Sequence, residues 1–116
     1  MQRESTNDRA DIPPGTLHLL ILKTLARGPL HGYAIAREIE RLSEEVLAVE
    51  EGSLYPALQR MLLKGWVEAE WVQAGPKRRA RVYSLTPTGS KQLRDEVRSF
   101  TRVMQAIVRV IQPAEG

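Results

Sequence analysis

Cysteine is absent from this sequence, and histidine occurs only twice, as His18 and His31. The lack of thiols excludes disulfides, thiol catalysis and cysteine-ligated zinc. No run of about 18 consecutive apolar residues occurs, so we do not expect a membrane-spanning helix. The polar first residues also lack the apolar segment of a signal peptide. These absences predict a cytoplasmic chain.

Catalytic and metal-binding motifs are missing as well. No phosphate-binding loop, nucleophile–base pair or metal motif is present. Neither histidine has a carboxylate pair near it at ligand spacing, so surface or helix-cap roles are expected for both. The sequence therefore predicts no enzyme, no metal and no cofactor.

The charge that is present is unevenly distributed. The 116 residues carry a net charge of +3 and suit one small domain. Residues 35–56 contain two arginines against six glutamates, whereas residues 57–86 contain six cations against two glutamates. The densest cations lie between residues 77 and 81. A bare charge run is usually a solvated turn, but a concentrated basic segment also suits a nucleic-acid partner.

Hydrophobic periodicity predicts three helices, a β-hairpin and a longer helix. The first three helices are expected at residues 16–27, 33–43 and 51–64, and the hairpin strands at residues 66–72 and 80–86. Residues 43–50 are interpreted as a connection or a short irregular strand. Residues 1–12 are polar and lack periodicity, which predicts a disordered or loosely held tail.

The last predicted helix, residues 87–112, has the clearest periodic pattern. Thr86 is expected as its N-cap and Pro87 as its first residue. Its apolar residues alternate in spacing between four and three, the a/d pattern of a coiled coil: Leu93, Val97, Phe100, Met104, Ile107 and Ile111. Ordinary core packing is the alternative to a dimer interface. Residues 113–116 are expected to form a short tail.

The first helix is apolar on more than one side. Leu17 and Leu20 belong to this broad apolar surface. In so small a domain, such a helix favours a partner chain that covers one of its sides. We therefore expect both leucines, together with the last helix, to form a homodimer interface.

This order of elements is that of a winged helix-turn-helix domain over residues 13–86, followed by a dimerisation helix. The fold class is thus mainly α with a small β-hairpin. In such a domain the third helix enters the major groove. Its projected outward face carries groups that suit phosphates and base edges: Ser53, Pro56, Gln59, Arg60 and, near its end, Lys64.

Two residues of this surface have an alternative role, and for a third the spacing predicts its position in the helix. Tyr55 projects to the border of the outward face, so a core-edge role is its alternative. Arg60 has pairing with a glutamate as its alternative. Pro56 is expected in the first helical turn, where a missing N–H is tolerated.

Three segments closely resemble the PadR family of bacterial transcriptional regulators: GPLHGY at 28–33, GSLYPAL at 52–58 and YSLTPTG at 83–89. The likeness spans residues 14–110, and the single C-terminal helix resembles the smaller subgroup of the family. The resemblance implies a homodimeric repressor with a winged helix fold. It implies DNA contacts from Ser53, Tyr55 and Pro56, supported by His31, Gly32 and Tyr33, and wing contacts from Lys77, Arg78 and Arg79. Arg81 begins a strand and is expected to point elsewhere.

Two hypotheses follow from these observations. The first is a dimeric repressor that binds a double-stranded, palindromic operator. The second is a winged-helix protein-interaction module, which the glutamates of residues 44–51 favour weakly. Trp66 and Trp71 are expected in the core, with an effector cavity as the alternative. No sequence feature names an effector.

Overall fold

The computed structural model describes residues 9–113. Its helices are α1 (Leu17–Leu25), α2 (Gly32–Leu42), α3 (Glu51–Leu63) and α4 (Pro87–Ile111). Its strands are β1 (Ala10–Asp11), β2 (Leu30–His31), β3 (Leu47–Ala48), β4 (Val67–Gly75) and β5 (Arg78–Leu85). This order agrees with the predicted winged helix-turn-helix and long C-terminal helix.

The wing is a three-stranded sheet with the order β2, β5, β4. Strands β4 and β5 form the predicted antiparallel hairpin. Strand β2 adds two residues, with Leu30 opposite Tyr83 and His31 opposite Val82. The sequence did not indicate this strand, because two residues after a Gly-Pro turn have no detectable period. Its consequence is that the start of α2 is attached directly to the wing.

A second small sheet involves the N-terminal segment. Strand β1 pairs in parallel with β3, and the Ala10 N–H donates to the Val46 carbonyl. The prediction of a loosely held tail over residues 1–12 is therefore wrong for Ala10 and Asp11, whose partners lie far along the chain. Residues 1–8 of that tail, and residues 114–116, lie outside the described residues.

The core is formed where α1, α2, α3 and the base of the wing meet. Its largest fully buried side chains are Ile21, Leu22, Ile35, Leu54, Leu58 and Met61. Truncating one of them to alanine should cost roughly 2–5 kcal/mol. Leu17 and Leu20 are half-buried and pack against this same core, so only part of their surface is left for a partner.

The start of α4 is fastened to the end of α3. The Thr86 hydroxyl accepts from the Gly89 N–H at 2.9 Å, as predicted for an N-cap, and donates to the Gly65 carbonyl at 2.6 Å. A Cβ atom on Gly89 would lie 1.9 Å from the Trp66 carbonyl oxygen, so only glycine fits there. These contacts fix the direction in which α4 leaves the domain.

The predicted α4 seam, the row of a/d residues from Leu93 to Ile111, is wrong at Leu93. Leu93 is 8% exposed and belongs to the chain's own core, because the first turns of α4 pack against α1. The other predicted seam residues, from Val97 onward, are all exposed. The a/d pattern thus has two segments: the first serves the domain itself and the second faces solvent.

The turn between α2 and α3 is held by a buried carboxylate. Glu40 is 8% exposed and accepts a hydrogen bond from the Val49 N–H at 3.0 Å. The Nη2 atom of Arg9 lies 3.4 Å from the Oε2 atom of Glu40 and 3.3 Å from the Oε1 atom of Glu45. A buried charge is tolerated when it has partners of this kind. Glu40 therefore connects the N-terminal segment, α2 and the approach to α3.

Candidate nucleic-acid interface

Helix α3 has one buried and one exposed face. Leu54, Ala57, Leu58 and Met61 point into the core. The residues proposed from the sequence for DNA contact all lie on the exposed side: Ser53, Tyr55, Pro56, Gln59, Arg60 and Lys64. Together they place hydroxyl, amide and cationic groups along one surface, which suits phosphates and base edges.

Pro56 does not lie in the first turn of α3, as spacing had predicted. The helix begins at Glu51, after an extended Glu50, so Pro56 is in its second turn. The missing N–H removes the donor that would normally bond the Gly52 carbonyl four residues earlier. The helix continues because its stability comes mainly from the buried face opposite the proline.

Tyr55 packs at the edge of the core and also leaves part of its side chain exposed. Its ring packs directly over the backbone of Gly32, yet the residue is 42% exposed. Burial raises the pKa of its hydroxyl, with further contributions from Glu51 and Tyr83. Gly32 is itself buried beneath the ring, so it supports Tyr55 rather than offering a surface of its own.

The start of α2 lies beside this surface. His31 occupies the N-cap position without a side-chain cap bond and is exposed, in agreement with a surface or cap-position role. Tyr33 is 60% exposed. Because β2 pairs with β5, and Tyr55 packs on Gly32, the structure brings this segment, α3 and the wing together.

The wing carries its cations near the turn between β4 and β5. Lys77, Arg78 and Arg79 are exposed there, and the pairing is irregular between Gln73 and Gly75. The guanidinium carbon of Arg79 lies 5.3 Å from the centre of the Trp71 ring. Trp71 is 57% exposed, so its predicted place in the core is wrong.

Some glutamates of the helix-turn-helix are neutralised by arginines of the chain. Glu38 pairs with Arg41 and Arg27, and hydrogen bonding from Arg41 lowers the pKa of its carboxyl. Arg60, by contrast, has no carboxylate partner among residues 9–113, so pairing with a glutamate does not occupy it. Its guanidinium remains available on the exposed side of α3.

Beside α3, a cavity of about 390 Å³ lies between the N-terminal segment, α1 and β3. His18, Ser53 and Arg60 contribute to its lining. Burial lowers the pKa of His18, and the charges of Arg60 and Lys64 lower it further.

Residues 9–113 contain no cluster of acidic or histidine side chains that would hold a metal ion. None of the four described helices has the length and apolarity that a bilayer crossing requires.

Two features beside the candidate site were not predicted from the sequence. One is Glu40, which lies four residues after Ala36 on the buried face of α2 and could have been recognised by that spacing. The other is the pair of contacts that Trp71 makes with Arg79 and Arg81 across the hairpin. Strand register, which local sequence does not specify, decides that contact.

Comparison with known proteins agrees with this geometry. The model of the transcriptional regulator PadR-like family matches residues 21–95, about two-thirds of the chain. The chain belongs to the PadR-like family. The matched segment contains α2, α3 and the wing, whereas the exposed part of α4 lies beyond it. The PadR-like assignment identifies a family of transcriptional regulators rather than enzymes, in agreement with the prediction from the missing catalytic motifs.

Individual relatives of this PadR-like chain differ in length. An uncharacterised 37.1 kDa protein in transposon Tn4556 of Streptomyces fradiae is 39% identical over 97 residues, which are 84% of this chain but 26% of that protein. A transcriptional regulator from Clostridium thermocellum has the same fold, with a TM-score of 0.79 at 23% identity over 84% of this chain and 95% of that one. Bacillus subtilis PadR, solved in complex with operator DNA, has a TM-score of 0.66 at 26% identity over 74% of this chain and 48% of that one.

Proposed function

We propose that this chain is a homodimeric, sequence-specific DNA-binding regulator that acts as a repressor. The observation that carries this proposal is the exposed polar face of α3, flanked by Tyr55 on one side and supported by a basic wing. The operator complex of the Bacillus subtilis relative supports the same ligand class. A bacterial regulator of this kind acts in the cytoplasm, where the chromosome lies.

In this proposal α3 enters the major groove, which is wide enough to admit an α-helix. Gln59 and Arg60 contact base edges, because amide and guanidinium groups form paired hydrogen bonds with adenine and guanine. Ser53 bonds phosphates or bases, and Pro56 offers an apolar contact. The wing cations Lys77 and Arg78 bind phosphates and so hold the protein on the duplex without selecting sequence.

The second half of α4 supplies the dimer interface. Val97, Phe100, Met104 and Ile107 are each 38–44% exposed along one side of the helix, and Ile111 is 71% exposed. A soluble monomer seldom leaves such a continuous apolar stripe in water. Pairing with a second copy covers it and gives a two-fold axis. Two α3 helices then meet successive major grooves with centres about 34–36 Å apart, which predicts a palindromic operator.

The alternative, a protein-interaction module, drew on the acidic connection before α3. Glu45 of that connection pairs with Arg9, and Glu38 and Glu40 of the preceding helix α2 pair with arginines as well. These pairs reduce the negative charge beside α3, which favours DNA over a basic protein partner. Repression then follows from occupancy of the operator, and any effector would act by changing the angle between the two halves.

Selection of bound fragments from the host genome tests the proposal. The recovered operator is then used in mobility-shift assays with two variants. Lys77→Ala with Arg78→Ala should weaken binding to all sequences and flatten the dependence on salt, because phosphate contacts are lost. Gln59→Ala should instead weaken the operator more than random DNA. Enrichment of no sequence, and no shift at low salt, would favour the interaction module.

A further inference from the structure

Two kinds of partner occur among the arginines of residues 9–113. Five of these described arginines lie within ion-pair distance of carboxylates: Arg9, Arg27, Arg37, Arg41 and Arg98. Arg79 and Arg81 have no such pair within residues 9–113 and stack on Trp71 instead. Their guanidinium carbons lie 5.3 Å and 5.9 Å from the centre of the indole. The guanidinium carbon of Arg81 also lies 5.8 Å from the centre of the Tyr83 ring.

Strand register places these four side chains on one face of the wing. Trp71 is opposite Arg81, Gln73 is opposite Arg79, and Ala69 is opposite Tyr83. Since side chains alternate between the faces of a strand, residues two apart share a face. At its base this face enters the core, where Tyr83 is 5% exposed, and towards the turn it becomes exposed.

The acids of the hairpin occupy the opposite face. Glu68 and Glu70, opposite Ser84 and Val82, are the acidic residues of β4 and β5. The alternation that puts Trp71 on one face puts both glutamates on the other. The stacked arginines therefore face away from the carboxylates that would otherwise compete for their donors.

Stacking on an aromatic ring and pairing with a carboxylate occupy different parts of a guanidinium group. A carboxylate occupies the N–H groups at the edge of the guanidinium plane. An aromatic ring occupies the flat face and leaves the edge donors free, while it restricts the motion of the side chain. Two ordered guanidinium groups with free edge donors, on a face of the hairpin that carries neither Glu68 nor Glu70, are suited to oxygen anions.

We propose that Arg79 and Arg81, stacked on Trp71, form a site for DNA phosphodiesters on the inner face of the wing. This rests on the proposed DNA-binding function and deepens it. It adds Arg81, which the sequence alone had directed elsewhere. Trp71 is a positioning residue: it orders both arginines, and its own ring is covered when the backbone approaches.

The first test measures binding to a random-sequence duplex by fluorescence anisotropy over a range of salt concentrations. Arg81→Gln should lower the slope of log affinity against log salt by about 1, the loss of one phosphate contact. The matched control is Arg102→Gln, an exposed arginine on α4 with the same change in charge, which should keep the wild-type slope. An unchanged slope in Arg81→Gln overturns the site.

The second test concerns Trp71. Trp71→Leu should weaken binding about fivefold with the salt slope retained, since both charges remain but lose their order, and Trp71→Phe should recover most of the affinity. In a Trp66→Phe background, the emission of Trp71 should change as duplex is added. Unaltered emission, or equal affinity of the leucine variant, contradicts the proposal. If the wild type binds no duplex at all, the DNA-binding function itself fails; if it binds while these variants match it, only the phosphate site fails.

Discussion

Gly32 and Tyr55 are in direct contact across the helix-turn-helix. A Cβ atom on Gly32 would lie 2.7 Å from the Cε1 atom of the Tyr55 ring and 2.8 Å from its hydroxyl oxygen. Gly32 is the first residue of α2, and Tyr55 lies on the exposed border of α3. The absence of a side chain at Gly32 thus decides where this aromatic ring lies on the candidate DNA surface.

Gly32→Ala should therefore destabilise the domain through Tyr55. The methyl group forces the ring away from its site, and overpacking of this kind costs about 1–2 kcal/mol. In a Tyr55→Ala background the same substitution should be neutral or slightly stabilising, because alanine forms helix better than glycine. Urea denaturation of the four proteins measures the coupling. An equal cost in both backgrounds would show that the ring is not the obstacle.

Glu44→Gly should stabilise the domain. Glu44 and Glu45 have φ angles of 55° and 65°, a left-handed backbone that costs a residue with a Cβ about 1–2 kcal/mol. Part of that gain is lost to the extra entropy of glycine in the unfolded chain, so the expected gain is about 0.5–1 kcal/mol. Glu44 is the better site, because Glu45 also pairs with Arg9.

Gly65→Ala is the matched reverse substitution. Gly65 has φ of 75° with no atom near its would-be Cβ, so only the backbone conformation opposes the change. It should destabilise by about 1 kcal/mol. Thermal unfolding of both variants provides the comparison, and a lower melting temperature for Glu44→Gly would refute the assignment of strain to the turn.

Stability should depend on pH through His18. Its pKa in the folded chain is lowered, mainly by burial, from an ordinary value of 6.5. Between that lowered pKa and 6.5 the unfolded chain binds more protons than the folded chain, so the free energy of unfolding rises with pH and falls on acidification. His18→Gln should reduce this slope. Denaturation curves at several pH values measure it, and the slope should persist in high salt because burial is the leading cause.

Phe100→Glu combined with Ile107→Glu should produce a folded monomer. Neither side chain belongs to the chain's own core, so the domain keeps its helical circular dichroism, whereas the apolar stripe gains two charges. Ser99→Glu with Arg102→Gln makes the same change in net charge at other exposed positions of α4 and should remain dimeric. Sedimentation velocity distinguishes the two. A wild type that is monomeric, or a variant with Phe100→Glu and Ile107→Glu that still dimerises, would exclude this interface.

Much of the fold was predictable because its signals are local. The buried face of α3, the capping of α4 by Thr86 and the hairpin turn each depend on residues within a few positions of one another. The a/d pattern of α4 was also recognised, yet it did not reveal that Leu93 packs internally while Val97 is exposed. That division depends on where α1 ends its contact with α4, which no local pattern contains.

Other features depend on residues distant in sequence. Arg9 meets Glu40 across the N-terminal segment, and β2 joins β5 over some fifty residues. Pro56 lies in the second turn because α3 begins after the extended Glu50, next to the Val49 N–H that donates to Glu40. These contacts form only when the whole domain packs, so the periodicity and composition of the sequence do not predict them.

The sequence by itself determined the order of the elements, the exposed polar face of α3 and the basic tip of the wing. The period of apolar residues and the chemistry of caps and turns are sufficient for that. Only the tertiary structure decided that Tyr55 rests on Gly32, that Leu93 belongs to the core and that Arg81 stacks on Trp71. Each of these depends on the register and packing of separate elements, which arise from the fit of the whole core rather than from neighbouring residues.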